Sequence, residues 1–146
     1  MNKSIMGLVT VAASVALAAG AMAQQRGVTA SEVTFGMPTD LSGPAATYGV
    51  SSSNGVKMRF EEVNEAGGIN GRKLKVIIED QGYQVPKAVQ ACNKLINRDK
   101  VFAFVAPLGT PMNNACFKEQ FSVGVPNLFP LSAARSMYEP FERLKF

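Results

Sequence analysis

The sequence predicts an α/β fold: a three-layer arrangement with a parallel sheet between helices on both faces. Short apolar runs alternate with segments of helical periodicity over most of the chain. Glycine and proline punctuate the junctions. The run Val101-Phe102-Ala103-Phe104-Val105-Ala106 is apolar throughout, as expected of a strand covered on both faces. Alternation at this spacing implies right-handed crossovers and the order β-α-β-α-β-α-β.

Each element has its own signal. Val33 to Met37 is an apolar run ending at Pro38, the first strand. The loop Thr39–Gly49 follows, rich in Gly and Pro. From about Val50 to Ala66, Val56, Phe60 and Val63 recur at i, i+4 and i+7, one face of a helix. Gly67-Gly68 stops it and Asn70-Gly71 makes a tight turn. Leu74, Val76 and Ile78 alternate with Lys73, Lys75, Ile77 and Glu79, a strand with one wet side near a sheet edge. Pro86 opens a second helix, whose apolar face carries Ala88, Cys92, Leu95 and Ile96. After the third strand, Pro107–Pro111 is a loop, and a third helix spans about Met112 to Phe121. Gly124 breaks it, Val125 to Phe129 makes a fourth strand, and Pro130–Ala134 is again loop. The segment through Tyr138-Glu139-Pro140 shows no period.

Composition narrows the chemistry. The chain has 146 residues, 47% hydrophobic and 18% charged, which is one globular domain or less. It has no histidine, which removes Ser-His and Cys-His nucleophile pairs and most zinc or copper sites. A net charge of +4, scattered along the chain, is not a nucleic-acid footprint. No GxGxxG, P-loop or GxSxG occurs, and no cofactor is implied.

Residues 1–23 read as a secretory signal peptide rather than a membrane anchor: Lys3, an alanine-rich apolar stretch from Ile5 to Ala19, then Ala21-Met22-Ala23. The mature chain is expected to begin at Gln24 and to lie in the periplasm, without stable membrane insertion. Export makes the even pair Cys92 and Cys116 a candidate structural disulfide, with two free buried thiols as the alternative. If the strand order is 2-1-3-4, the second and third helices share a face and the cysteines become neighbours.

Ligands in such sheets bind beyond the carboxyl ends of the strands, at the switch point between the first and third. The loops Thr39–Gly49, Pro107–Pro111 and Pro130–Ala134 meet there. They offer Ser42, Thr47, Tyr48, Thr110 and Ser132, with backbone N–H groups at the start of the third helix. This is binding equipment. Plainer roles compete with it: Thr110 as an N-cap, Ser42 as a turn residue, Asp40 as a solvated or turn-forming carboxylate instead of a general base. Glu61 and Glu62 read as surface charge, and Arg72, Lys73 and Lys75 as a charged edge that blocks unwanted pairing.

The chain resembles the periplasmic solute-binding proteins of branched-chain-amino-acid-type ABC transporters, which are leucine-binding-protein-like, type I two-lobe proteins. The matching residues are Leu41-Ser42-Gly43-Pro44 with Tyr48-Gly49, and the stretch from Asn64 through Ala66-Gly67-Gly68-Ile69-Asn70-Gly71-Arg72 to Leu74. Glu79-Asp80, Lys94-Leu95-Ile96 and Val123-Gly124-Val125-Pro126 follow. The resemblance covers residues 24–146 as part of an N-terminal lobe. It implies capture of a small solute between two lobes and delivery to an ABC permease. It places Ser42 and Tyr48 on the cleft, Gly109 and Thr110 at a ligand carboxylate, and Leu131, Ser132 and Ala133 at the ligand's polar end.

Gly109-Thr110-Pro111 departs from the family's serine-rich stretch. That widens the expected solute from a branched-chain amino acid to an aromatic acid, an amide or a urea-like compound. The chain stops at Phe146, before a second lobe, and seven of its nine phenylalanines follow residue 100. A fragment with exposed apolar surface is therefore expected. A small secreted α/β enzyme and a sensor-type ligand-binding domain are the alternative readings; the missing histidine and catalytic motifs argue against the enzyme.

Overall fold

The computed structural model describes residues 25–146, so the signal peptide and the expected start at Gln24 lie outside the described residues. The elements are β1 (Glu32–Thr39), α1 (Ala46–Glu65), β2 (Lys73–Asp80), α2 (Val85–Asn93), β3 (Ala103–Val105), α3 (Thr110–Ser122) and β4 (Asn127–Leu128). Lys94–Arg98 continue α2 as a π turn, and Arg135–Met137 form a short 3-10 turn.

The strands form one parallel sheet in the order β2-β1-β3-β4. The pairing of β1 with β2 runs from Glu32 opposite Lys73 to Thr39 opposite Asp80. Neighbouring side chains on a strand face opposite ways. Phe35 meets the Phe60 ring of α1 edge-on at 5.3 Å. At the next position, Gly36 lies so close to Leu95 and Phe104 that a Cβ would sit 3.2 and 3.1 Å from their side chains. The helix α1 thus covers one face, while α2 and α3 pack together on the other.

The core lies between the sheet and the α2–α3 pair. Cys92, Leu95, Ile96, Val101, Phe104, Cys116 and Val125 form one buried cluster. Burying an aliphatic or aromatic side chain of this kind contributes about 1.5–3 kcal/mol. Cys92 and Cys116 are joined in a disulfide, with Cα atoms 6.1 Å apart, which ties α2 to α3.

Several boundaries move, each for a local reason. The strand β1 continues through Pro38 to Thr39. Proline lacks an N–H, but its carbonyl accepts from Leu108 N at 3.1 Å, so contact toward the β3 side persists. The helix α1 begins at Ala46, not near Val50, because the Asp40 carboxylate gathers the preceding N–H groups into a turn. The strand β3 stops at Val105, where Ala106 takes a φ of 47°. Pro126 and Phe129, the latter with φ 51°, bracket the two-residue β4.

The turn from α1 to β2 explains much of the motif that carries the family resemblance. The Asn64 side-chain amide donates to Leu74 O at 2.8 Å, and its carbonyl accepts from Leu74 N at 2.7 Å. Asn70 and Gly71 both have positive φ, 50° and 76°, between bridged Ile69 and Arg72. A Cβ on Gly68 would lie 2.1 Å from Arg72 O, so only glycine fits. Lys73 and Lys75 fall on the edge strand, with Lys75 facing Glu32 at 3.7 Å, and Arg72 just before it donates through Nε to Thr29 O.

The segment without period also has order. Leu144–Phe146 run along the outer edge of β4: Asn127 N donates to Leu144 O, Phe146 N to Asn127 O, and Phe129 N to Phe146 O. The Lys145 ammonium donates to Ser136 O at 2.9 Å and lies 5.0 Å over the Phe117 ring. Phe129, Tyr138, Phe141 and Phe146 remain exposed.

Candidate ligand-binding site

Four loops meet at the carboxyl ends of the strands, and buried hydrogen bonds fix their relation. Asp40 is fully buried, with its carboxylate occupied by backbone donors: Gly43 N at 2.6 Å, Ala45 N at 2.7 Å and Ser42 N at 3.2 Å. It is a turn former, neither solvated nor poised as a base. Beside it, Asp80 accepts from Leu41 N and Gly82 N, both at 2.9 Å, and from Ser42 Oγ at 2.6 Å. The Ser42 hydroxyl, joined by these amides and by nearby Lys87, holds the Asp80 carboxyl below the ordinary carboxylate value, against slight desolvation. Ser42 thus binds the loop after β1 to the end of β2. Tyr48 lies in the first turn of α1 with its ring exposed.

The loops after β3 and β4 are knitted more tightly. Leu131 N donates to Pro107 O, Gly109 N to Leu131 O, and Leu108 N to Pro38 O. The buried Asn113 amide donates to Pro107 O and Gly109 O. Thr110 Oγ1 and Ser132 Oγ are 2.6 Å apart. Ala134 N also donates to Ser132 Oγ, and Ala133 is exposed beside it.

Gly109, not Thr110, occupies the N-cap of α3, with φ 93° and no side-chain cap. A Cβ there would lie 2.4 Å from the Met112 side chain. The reading of Thr110 as an N-cap is therefore corrected: it is the first helical residue and its hydroxyl is turned to Ser132. The first N–H groups of a helix have no partner within it. Asn113 N reaches Gly109 O and Pro111 has no N–H, which leaves Thr110 and Met112 as donors at this helix end. Such donors, with the helix dipole, favour an anionic group.

The floor beneath Gly109, lined by Pro38, Gln81, Leu108 and Met112, has no room for a water molecule. Two shallow depressions of about 380 Å³ lie elsewhere. One is near Arg26 and Lys100 on the far side of the strands; the other lies between Asp80, Lys87 and Lys94.

Two residues at this end escape sequence reasoning. Gln81 is buried and its amide donates to Leu108 O at 2.7 Å, carrying the loop after β2 across to the loop after β3. Tyr83 follows with φ 56°, its ring against Gly109. Neither belongs to an apolar period, and a positive φ on tyrosine has no sequence signal. Among the described residues, no group of three His, Cys, Asp or Glu is placed to hold a metal ion. None of the described helices is long and apolar enough to cross a membrane.

Comparison with known proteins agrees with this fold. The family described as "Periplasmic binding protein" matches residues 32–116, more than half of the chain. An amino acid binding protein of Pseudomonas aeruginosa is 34% identical over 74 residues, 51% of this chain and 20% of its own length. A Leu/Ile/Val-binding protein of Rhizobium johnstonii is 32% identical over 77 residues, 53% of this chain and 21% of its own. Among solved structures, a fatty acid ABC transporter substrate-binding protein from Thermomonospora curvata matches with a TM-score of 0.69 and 34% identity. It covers 73% of this chain and 27% of its own. A possible leucine/isoleucine/valine-binding protein from Rhodopirellula baltica matches with a TM-score of 0.72 and 27% identity, covering 76% and 30%.

The matched part of this chain thus spans about a fifth of the length of these curated relatives. They are solute-binding proteins, not enzymes, and the chain belongs to the periplasmic binding protein family, in its leucine-binding-protein-like, type I form.

Proposed function

We propose that residues 24–146 are part of the first lobe of the solute-binding component of an ABC importer, exported to the periplasm by the signal peptide 1–23. The solute is small and bears a carboxylate. It rests on Gly109, Thr110, Ser132 and Ala133, with Ser42 and Tyr48 bordering the cleft that a second lobe closes. An ABC permease receives it.

One observation carries this reading: the Thr110–Ser132 hydroxyl pair lies at the end of α3 that offers the Thr110 and Met112 N–H groups. A carboxylate at a helix N-terminus gains from both hydrogen bonding and the helix dipole. The amino acid and fatty acid binding named for the relatives supports the same chemistry. Amino acids and fatty acids differ in size, charge and shape, but both carry a carboxylate.

Thermal melting of the 146-residue chain with leucine, octanoate, benzoate and leucinamide tests the proposal. The three carboxylates raise the melting temperature and leucinamide does not. An equal shift from leucinamide would move the solute class to amides, and hydrolysis of leucinamide would contradict a binding role.

A further inference from the structure

We infer that Tyr83 is a specificity-determining residue: its ring forms an apolar wall beside the Gly109–Thr110 subsite and selects solutes with an apolar group next to the carboxylate. This rests on the proposed carboxylate site and extends it.

Strand order supplies the first argument. The loop after β4 reaches the β3 loop from one side, through Ser132. The loop after β2 must arrive from the other side, passing the end of β1. The buried Gln81 amide does this through its bond to Leu108 O, and Tyr83 stands two residues further on. Its Cε2 is 3.0 Å from the position a Cβ on Gly109 would take. Glycine at 109 therefore serves two purposes, the positive φ of the N-cap and room for an aromatic ring against the backbone. The polar Ser132 and the Tyr83 ring flank the same two residues.

The second argument is conformational. Tyr83 has φ 56°, in the left-handed region that costs a non-glycine residue strain. Gly82 beside it has φ 54°, and the turn is closed by Gln84 N donating to Gln81 O. Tyrosine at such a position carries backbone strain that glycine would not. The residue is 39% exposed, so one part packs on Gly109 while another stays open to a solute. An aromatic face in contact with apolar matter contributes both area and specific geometry.

The test is an NMR titration of the 15N-labelled 146-residue chain with acetate, leucine and benzoate, following the Thr110 and Met112 amides. Acetate probes the carboxylate subsite alone; leucine and benzoate add an apolar group. The wild type is expected to bind benzoate and leucine at least about tenfold more tightly than acetate. Tyr83→Phe keeps that preference within about twofold. Tyr83→Gly relieves the strained φ, keeps or raises the melting temperature, and brings benzoate and leucine down to the acetate level. A Tyr83→Gly chain that retains the tenfold preference overturns the role of Tyr83 and leaves the carboxylate site standing. Thr110 and Met112 amides unmoved by all three compounds in the wild type overturn both.

Discussion

Thr110 Oγ1 and Ser132 Oγ stand 2.6 Å apart and join the first residue of α3 to the loop after β4. The two residues are 22 positions apart in the chain and meet only because β3 and β4 are neighbours. Thr110→Val keeps the branched shape and deletes the hydroxyl. We expect a loss of about 1 kcal/mol in urea unfolding, the usual net value of one hydrogen bond. Binding of leucine or benzoate is expected to fall about tenfold, because Ser132 loses its partner at the polar end of the site. Unchanged affinity would remove the hydroxyl pair from the site.

Asn64 provides a test with no bearing on ligand. Its amide pairs with both the N–H and the carbonyl of Leu74 and anchors the turn between α1 and β2. Asn64→Ala leaves both backbone groups without that partner and should cost about 1–3 kcal/mol. Chemical denaturation measures this directly, and carboxylate binding per mole of folded chain should not change.

Two glycines should respond in opposite directions to alanine. Gly68 has φ 80° and no space toward Arg72 O, so Gly68→Ala is destabilising by more than about 1 kcal/mol. Gly55 lies in the exposed middle of α1 with nothing within 4 Å of a Cβ, so Gly55→Ala stabilises by about 0.5–1 kcal/mol. Melting curves of the two variants side by side check the sign of each.

Asp80 gives a pH prediction. Its carboxyl is held below the ordinary value of 3.8, chiefly by the Ser42 hydroxyl. A group with a depressed folded pKa contributes stability that is present above its unfolded value and lost as pH falls through the folded one. The loop contribution of Asp80 is therefore intact at neutral pH and disappears in acid, below about pH 4. Ser42→Ala should raise the Asp80 pKa toward its ordinary value in an NMR titration of the side-chain carboxyl. An unchanged titration would show that the hydroxyl is not what holds it.

The disulfide closes a loop of moderate length between α2 and α3. Replacing Cys92 and Cys116 together by serine should lower stability by roughly 3 kcal/mol, read from urea unfolding. A loss under 1 kcal/mol would mean that packing of the buried cluster already fixes the two helices.

Much of this layout was readable in the sequence, and the rest was hidden for identifiable reasons. Apolar period placed Ala88, Cys92, Leu95 and Ile96 on one buried face, and alternation placed β2 at a sheet edge. Strand order then brought the two cysteines together. The early start of α1 was hidden because a buried carboxylate, Asp40, sets it through hydrogen bonds that follow from tertiary position. Gln81 and Tyr83 were hidden because their contacts with the β3 loop cross 27 and 26 positions of chain and obey no period. The pairing of Leu144–Phe146 with β4 was hidden because three residues are too short to show alternation.

A crystal structure of the chain grown with saturating leucine would show directly where a carboxylate binds. The carboxylate is expected within hydrogen-bond distance of Thr110 N, Met112 N or Ser132 Oγ, with apolar atoms against the Tyr83 ring. Leucine bound instead in the depression near Arg26 and Lys100, with the Thr110–Ser132 pair uncontacted, would contradict it.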